Sequence, residues 1–279
     1  MKARIRKKQD PLSVVLRVLV VGFAGLTFAI LLLIIGYILI RGIPHLKSSL
    51  WSPVYTTKNV SLLPALINTV LITVLSLAIA VPLGIATAIY LAEYAGSGSP
   101  LVRIVRAAAQ TLAGFPSIVY GLFGLLFFVT SLGWGYSLLS GAFTLGVMIL
   151  PLIIRTSEEA LHSVPRTYRE GSFALGAGKL STIFSIVLPS AGPGILAGVI
   201  LGIGRILGET AALIYTAGTV PQIPRNLLSS GRTLAVHLYA LSSEGLYTSE
   251  ANATAVVLLA LTAGINWFSA ALARRVTRI

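Results

Sequence analysis

Long apolar runs separated by short polar segments make up most of the chain. A helix that crosses a membrane needs about 20 predominantly apolar residues, and six runs approach or exceed that length. We predict transmembrane helices at residues 18–40, 64–92, 107–129, 141–154, 192–217 and 251–273. The first run is too long for the apolar part of a signal peptide, so we interpret it as a membrane helix. The predicted fold class is an all-α integral membrane protein with six transmembrane helices.

The composition excludes several other classes of protein. Hydrophobic residues are 56% of the chain and charged residues only 10%, which is too apolar for a soluble globular protein. There is no cysteine and the three histidines are scattered, so we predict no metal site. The formal net charge of +13 lies mainly at the ends of the apolar runs. This placement favours a lipid bilayer, and not a nucleic acid, as the partner.

The positive charges also predict the orientation in the membrane. Lys and Arg accumulate in the cytoplasmic loops of membrane proteins. If both termini are cytoplasmic, 15 of the 21 Lys and Arg residues lie on the cytoplasmic side, five lie outside and Arg205 lies within a span. We therefore expect a multi-pass protein of a bacterial or archaeal cytoplasmic membrane. Both termini and the polar segment 155–189 are expected in the cytoplasm.

That polar segment is predicted to contain two short helices. Pro165 suits a helix start because its missing N–H would have no partner there, and Ser163 is a candidate cap. The first helix is predicted to run from Pro165 to Leu175, with Gly176 ending it in the left-handed conformation. A second helix is predicted to start at Ser181, and Pro189 is expected to close the segment.

Part of the same segment, LGAGKLS, is similar to a phosphate-binding loop. That loop would need glycine at position 173 and Ser or Thr at position 180, whereas the chain has Phe173 and Leu180. We therefore predict that this chain has no ATP site, no cofactor and no catalytic residue.

A charged pair is predicted inside the fifth span. Arg205 and Glu209 are four residues apart, so on a continuous helix they would share one face with Gly198 and Gly202. Small residues let another helix approach closely, and a charge within the membrane needs a partner or a wet cavity. Two interpretations follow from the residues. The pair is an ion pair that joins two helices, or Arg205 receives an oxyanion through its two parallel donors, with Glu209 as its partner.

The polar segment resembles the cytoplasmic EAA loop of type I ABC importer permeases. In that family the pattern is Glu-Ala-Ala, three residues, Gly, nine residues and Ile-x-Leu-Pro. Here the matching residues keep every spacing, with two small residues in place of the alanines: Glu170, Gly171, Ser172, Gly176, Ile186, Leu188 and Pro189. The resemblance implies that the short helix of this loop is the coupling helix, which fits a groove on an ATPase subunit.

A narrower resemblance covers most of the chain. GFPSIVYGLFGL, ILPLIIRTSEEALHSVP and GVILGIGRILGETAALIYTAG are similar to segments of the phosphate-specific transport permeases PstA and PstC, and the short first external loop favours the PstA type. This resemblance implies a PstC-like second permease, a PstB-like ATPase dimer that holds ATP and Mg, and an external PstS-like phosphate-binding protein. It also implies that Arg205 lies on the path of phosphate, with Glu209 as its partner.

The resemblance also predicts how the chain is divided. We expect a cytoplasmic basic N-terminus at 1–17, the first helix with its external loop at 18–63, a type I permease domain at 64–273 and a cytoplasmic C-terminus at 274–279. The predicted function is that of a permease subunit in an ATP-driven phosphate importer. Two alternatives stay open: a type I permease for another oxyanion or solute, and a secondary transporter, although we find none of the inverted repeats expected of many of these.

Overall fold

The computed structural model describes residues 11–95 and 99–276, and within them the regular structure is entirely helical. Residues 11–17 were predicted to belong to the basic N-terminus, but they form the start of the first helix. The remaining predicted N-terminal residues, 1–10, lie outside the described part of the chain.

Eleven α-helices are present in the described residues. In chain order they are α1 (Pro11–Gly42), α2 (Leu63–Ile89), α3 (Pro100–Ala113), α4 (Ser117–Gly124), α5 (Leu138–Ser163), α6 (Arg166–Ala174), α7 (Lys179–Thr182), α8 (Leu188–Leu207), α9 (Ala211–Ile214), α10 (Leu234–Glu244) and α11 (Thr248–Val276). Wider π-helical turns extend α2 and α4 and join α7 to α8, at Tyr90–Tyr94, Leu125–Ser131 and Ile183–Val187. Two short 3-10 helices, Ile43–His45 and Ser48–Trp51, follow α1.

The described helices supply five spans that are long and apolar enough to cross a membrane, and α3 with α4 would make a sixth. The third predicted span is therefore wrong as one continuous helix, since α3 and α4 meet at an angle of 105°. The bend lies at Gly114-Phe115-Pro116. Proline has no N–H to donate and disfavours helical geometry in the residue before it, which favours a break at Pro116, although Pro82 and Pro151 lie inside continuous helices.

The fifth predicted span also differs from the structure. It was expected to begin after Pro189 and to reach residue 217, but one helical run extends from Lys179 to Leu207 and stops there. Pro189 lies within the first turn of α8. The π-helical turn before it, Ile183–Val187, widens the helix next to the position where proline cannot donate. The run therefore continues through Pro189 instead of ending at it.

The polar segment is shorter than predicted, and the loop at 218–250 is more ordered. Residues 155–163 continue α5, and Ser163 ends that helix with its hydroxyl bonded to the carbonyl of Ala160, so it does not cap α6. The loop contains α10, which begins with the Thr233 hydroxyl accepting from the N–H of Val236. The hydroxyl of a threonine at this position satisfies a donor that the helix start leaves free.

Ion pairs identify which helix ends lie together. Glu93 at the end of α2 pairs with Arg169 of α6, and Glu158 near the end of α5 pairs with Arg106 of α3. We call this end of the bundle the loop face. At the opposite end, the distal face, Asn68 in α2 donates to the carbonyls of Gln222 and Arg232 in the connection between α9 and α10.

The helices pack around α5, which lies against α2, α4 and α8. The main cluster of buried apolar side chains contains Ile72 of α2, Leu145 and Ile149 of α5, and Leu213 of α9. Most of α1 and one side of α11 are exposed, with Trp267 and Phe268 at 70% and 65%. Apolar surface on this scale is not stable in water, and it is the surface that lipid or a partner subunit covers.

Glycines bring α8 close to α5, as predicted from the sequence. A Cβ atom added at Gly194 would lie 2.6 Å from the Cβ of Ala160, and one added at Gly198 would overlap the hydroxyl of Thr156. One added at Gly202 would lie 3.4 Å from Ile153. Gly194, Gly198 and Gly202 therefore face α5, and the first two leave no room for a side chain.

This packing predicts a position-specific effect of alanine. Gly198→Ala should lower the unfolding free energy of the purified complex by about 1–3 kcal/mol, because the methyl group overpacks the contact with Thr156. Gly204→Ala is the matched control in the same helix, since a Cβ there meets nothing within 4 Å. Thermal unfolding midpoints compare the two variants. Equal midpoints would contradict the close packing of α8 on α5.

Candidate functional site

Arg205 and Glu209 do not lie on one helix face as predicted. Helix α8 ends at Leu207, and the backbone turns at Gly208 so that Glu209 lies beyond the helix. The Glu209 carboxylate accepts from the backbone N–H groups of Thr210 and Ala212, at 3.2 and 3.1 Å. These donors are at the start of α9, where the helix has no partners for them. The predicted pairing is wrong because Glu209 caps the next helix.

Arg205 keeps its hydrogen-bonding capacity. It is partly exposed in the last turn of α8, and the four ion pairs found among the described residues do not include it. No side chain or carbonyl in the described part of the chain accepts a hydrogen bond from its guanidinium. Tyr120 of α4 lies within electrostatic range of Arg205. The arrangement leaves a cation within reach of solvent at the end of a membrane helix.

The short helix that Glu209 caps is held by α4. A Cβ atom at Gly121 would lie 2.8 Å from the Cα of Ala212, so the two backbones are in direct contact. Gly124 is similarly close to Thr144 of α5 and Thr216 after α9. The two motifs that contain Gly121 and Arg205 thus meet in space. Together they build the region around Arg205 from α4, α8 and α9.

The predicted coupling residues lie in two neighbouring parts of the chain. Four are in the hairpin formed by α6, the turn after it and α7, and three are in the helical run that follows. Glu170 and Gly171 are exposed on α6, while Ser172 is buried and its hydroxyl lies 2.8 Å from that of Thr182. Gly176 ends the turn after α6 with φ = 84°, so the predicted left-handed glycine is confirmed. The remaining three residues are in the helical run that follows: Ile186 and Leu188 are half-buried and Pro189 is exposed.

Large apolar side chains are exposed beside Glu170. Tyr168 and Phe173 in α6 are about half exposed, Leu175 is 90% exposed and Leu180 in α7 is 63% exposed. A groove of about 510 Å³ runs past Gly171 and Leu175. An exposed apolar patch of this kind indicates a surface that another protein or the membrane covers.

Sequence analysis missed the side chain that holds this hairpin in place. Nε and Nη2 of Arg169 donate to the same oxygen of Glu93, at 3.0 and 2.6 Å. Nη1 and Nη2 donate to the carbonyls of Val164 and Leu161, at 2.8 and 2.9 Å. One guanidinium therefore joins α2, α5 and α6. The sequence feature that could have indicated this contact is Glu93, one of only eight acidic residues. It lies where a predicted span ends.

A buried basic cluster lies at the distal face. Arg232 and His237 are 6% and 0% exposed, and the ring of Tyr55 contacts both. Nε and Nη2 of Arg232 and both ring nitrogens of His237 have no hydrogen-bond partner among the described residues. Burial, with a smaller effect from the Arg232 charge, lowers the pKa of His237 to about 3. The histidine is therefore neutral in the folded protein near neutral pH.

The described residues contain no group of three His, Asp or Glu side chains that could hold a metal ion.

Comparison with known proteins identifies the family. The family model for the inner membrane component of binding-protein-dependent transport systems matches residues 80–278. The probable ABC transporter permease YqgI of Bacillus subtilis is 36% identical over 80% of this chain and 81% of its own length. The phosphate transport system permease PstA of Mycobacterium leprae is 38% identical over 77% of this chain and 71% of its own.

Solved structures agree on the fold. A bacterial alginate ABC transporter, crystallised with its periplasmic protein, contains a chain that superimposes with a TM-score of 0.61 at 18% identity, covering 93% of this chain and 98% of that one. The chain belongs to the family of inner membrane components of binding-protein-dependent transport systems. Its fold is that of an ABC importer permease, and it is a multi-pass membrane protein.

The neutral state of His237 predicts a pH dependence of stability. The unfolded chain takes up a proton at this side chain with a pKa near 6.5, whereas the folded chain does so only near 3. Stability should be complete above pH 6.5 and fall as the pH decreases towards 3. By linkage the loss at pH 5 is about 2 kcal/mol.

Thermal unfolding of the purified complex at pH 7 and pH 5 measures this loss. His237→Gln should reduce the difference between the two pH values, and His45→Gln, a partly exposed histidine outside the four ion pairs, should leave it unchanged. An unaltered pH slope in His237→Gln would show that another group carries the dependence.

Proposed function

We propose that the chain is the PstA-type permease subunit of an ATP-driven importer of inorganic phosphate. The observation that carries this proposal is Arg205, a guanidinium with no protein acceptor among the described residues, at the end of a membrane helix. A guanidinium offers two parallel donors that match the oxygens of a tetrahedral oxyanion. The similarity to the phosphate transport system permease PstA of Mycobacterium leprae supports phosphate as that anion.

The proposal gives Glu209 a different role from the predicted one. Since its carboxylate binds the start of α9, it does not neutralise Arg205 directly. It fixes the turn between α8 and α9 and so determines where α8 ends. Arg205 then remains available to an incoming anion, and an anion within the membrane needs such a cation.

The exposed apolar patch around Glu170, on the loop face, is the proposed docking surface for an ATPase dimer. The exposed apolar side chains around Glu170 form a patch, and Glu170 supplies a negative charge at its centre. This places the loop face in the cytoplasm, together with both termini, in agreement with the excess of Lys and Arg on that side. ATP and Mg bind to the ATPase subunits, and this chain has no role in hydrolysis itself.

The distal face then faces the external binding protein, and a PstC-like second permease completes the path. One helical run of 29 residues, Lys179–Leu207, leads from the docking surface to Arg205. At 1.5 Å per residue this run is about 43 Å long. ATP drives transport because it binds the inward-facing and outward-facing states of the complex with different affinities.

Phosphate uptake in cells that carry Arg205→Gln tests the anion site. Uptake should fall to background, because glutamine keeps hydrogen-bonding groups but loses the charge. The ATPase should still co-purify from the same membranes. Arg225→Gln is the matched control, an exposed arginine near the distal face, and should transport normally. Normal uptake by Arg205→Gln would contradict the proposed path, and loss of the complex would assign Arg205 a structural role.

Glu170→Lys tests the docking surface. The reversed charge should weaken binding of the ATPase by at least tenfold, measured by co-purification at increasing salt concentration. Glu159→Lys is the control, because Glu159 is also exposed but lies on α5. Equal retention of the ATPase by both variants would place the docking surface elsewhere.

A further inference from the structure

Arg169 and Glu93 form a connection that we call the latch. The two Arg169 donors to one Glu93 oxygen and the two to the carbonyls of Leu161 and Val164 use one planar group for four contacts. The side chains of Arg169 and Glu93 are only 17% and 10% exposed. Charge-assisted hydrogen bonds shielded from solvent are stronger and more directional than surface ion pairs. The latch is therefore a firm connection between α6 and the end of α2.

A second contact lies beside the latch. The Lys179 ammonium, at the start of α7, is 4.7 Å from the centre of the Tyr94 ring. Tyr94 ends the π-helical turn that extends α2, the turn that also contains Glu93. Such turns often occur at functional positions in membrane and soluble helices. Both ends of the hairpin, α6 and α7, thus contact the same five-residue turn of α2.

The other end of α2 holds the distal face. Asn68 donates to the carbonyls of Gln222 and Arg232, and the Thr69 hydroxyl accepts from the N–H of Leu234 at 2.8 Å. Helix α2 therefore contacts the hairpin at one end and the connection between α9 and α10 at the other. Helix α2 is 27 residues long, contains Pro82 and connects the two faces.

We propose that Arg169 and Glu93 are positioning residues that make α2 move together with the coupling hairpin. This inference rests on the proposed function. A displacement of α6 by the ATPase would then reach the distal face through two routes, the continuous helical run into α8 and the latch into α2. Without the latch α2 would follow the hairpin only through its packing against α5, and ATP hydrolysis would proceed with a smaller movement of α2.

The test measures phosphate transported per ATP hydrolysed, in proteoliposomes that contain the assembled complex and the binding protein. Arg169→Gln should lower this ratio at least tenfold while ATP hydrolysis continues and the subunits still co-purify. Arg155→Gln removes an exposed ion pair on the same face, with Glu159, and should keep the ratio. If Arg169→Gln prevents assembly, Glu93→Gln is the second variant. It removes the negative charge while glutamine still accepts a hydrogen bond, and it should also lower the ratio.

Cross-linking separates a mechanical role from a purely structural one. The chain contains no cysteine, so Glu93→Cys with Arg169→Cys introduces one defined pair. The double variant should transport poorly, and a short reagent that links the two thiols should restore the ratio to at least half that of the unmodified chain. A normal ratio before cross-linking, or no recovery after it, would overturn the proposal. Absence of phosphate transport by the unmodified complex would instead refute the proposed function.

Discussion

Close packing of α5 against α8 determines how the other helices are arranged. In lipid there is no hydrophobic force that drives one apolar helix against another, so close packing and hydrogen bonds hold helices together. Gly194, Gly198 and Gly202 provide that packing because α8 has no side chain at these positions, and Ala160, Thr156 and Ile153 of α5 pack against its backbone. Helix α5 is thereby fixed against α8 along its length. The latch, which uses carbonyls at the end of α5, and the site of Arg205, at the end of α8, both follow from this contact.

Under the proposed function, the same contact lets this permease couple two distant surfaces. The docking patch and Arg205 are at opposite ends of one helical run, and α2 lies beside it with contacts at both faces. The elements between them are rigid helices with close contacts. Rigid elements that adopt two discrete arrangements are the physical basis of coupling between sites.

The sequence predicted the features that local patterns determine. The presence of long apolar helices, the close-packed glycines of α8 and the left-handed Gly176 follow from hydropathy, helix periodicity and backbone sterics, and the structure confirms them. The end of α8 was not predictable in this way. The residues around Glu209 are compatible with a helix, and the competing start of α9, which needs a cap, is a tertiary feature held by Gly121.

Long-range contacts were the other limit of prediction. Arg169 and Glu93 are 76 residues apart, and no periodicity connects them. Proline was a poor guide to where the helices end. Pro116 lies at a bend of 105° within a span that was predicted as one helix, whereas Pro189 was predicted to close a segment and lies within a continuous run. Whether a helix breaks at a proline therefore depends on the local backbone and not on the residue type. The division of the chain at residue 64 and the roles of the site residues remain predictions.

Transport of phosphate in reconstituted vesicles tests whether ATP hydrolysis drives import. The purified complex is placed in vesicles with the binding protein and labelled phosphate at the distal face and ATP at the loop face. Phosphate should cross against its concentration gradient only while ATP is hydrolysed, and a proton or sodium gradient should not replace ATP. Uphill phosphate movement driven by an ion gradient without ATP would contradict it.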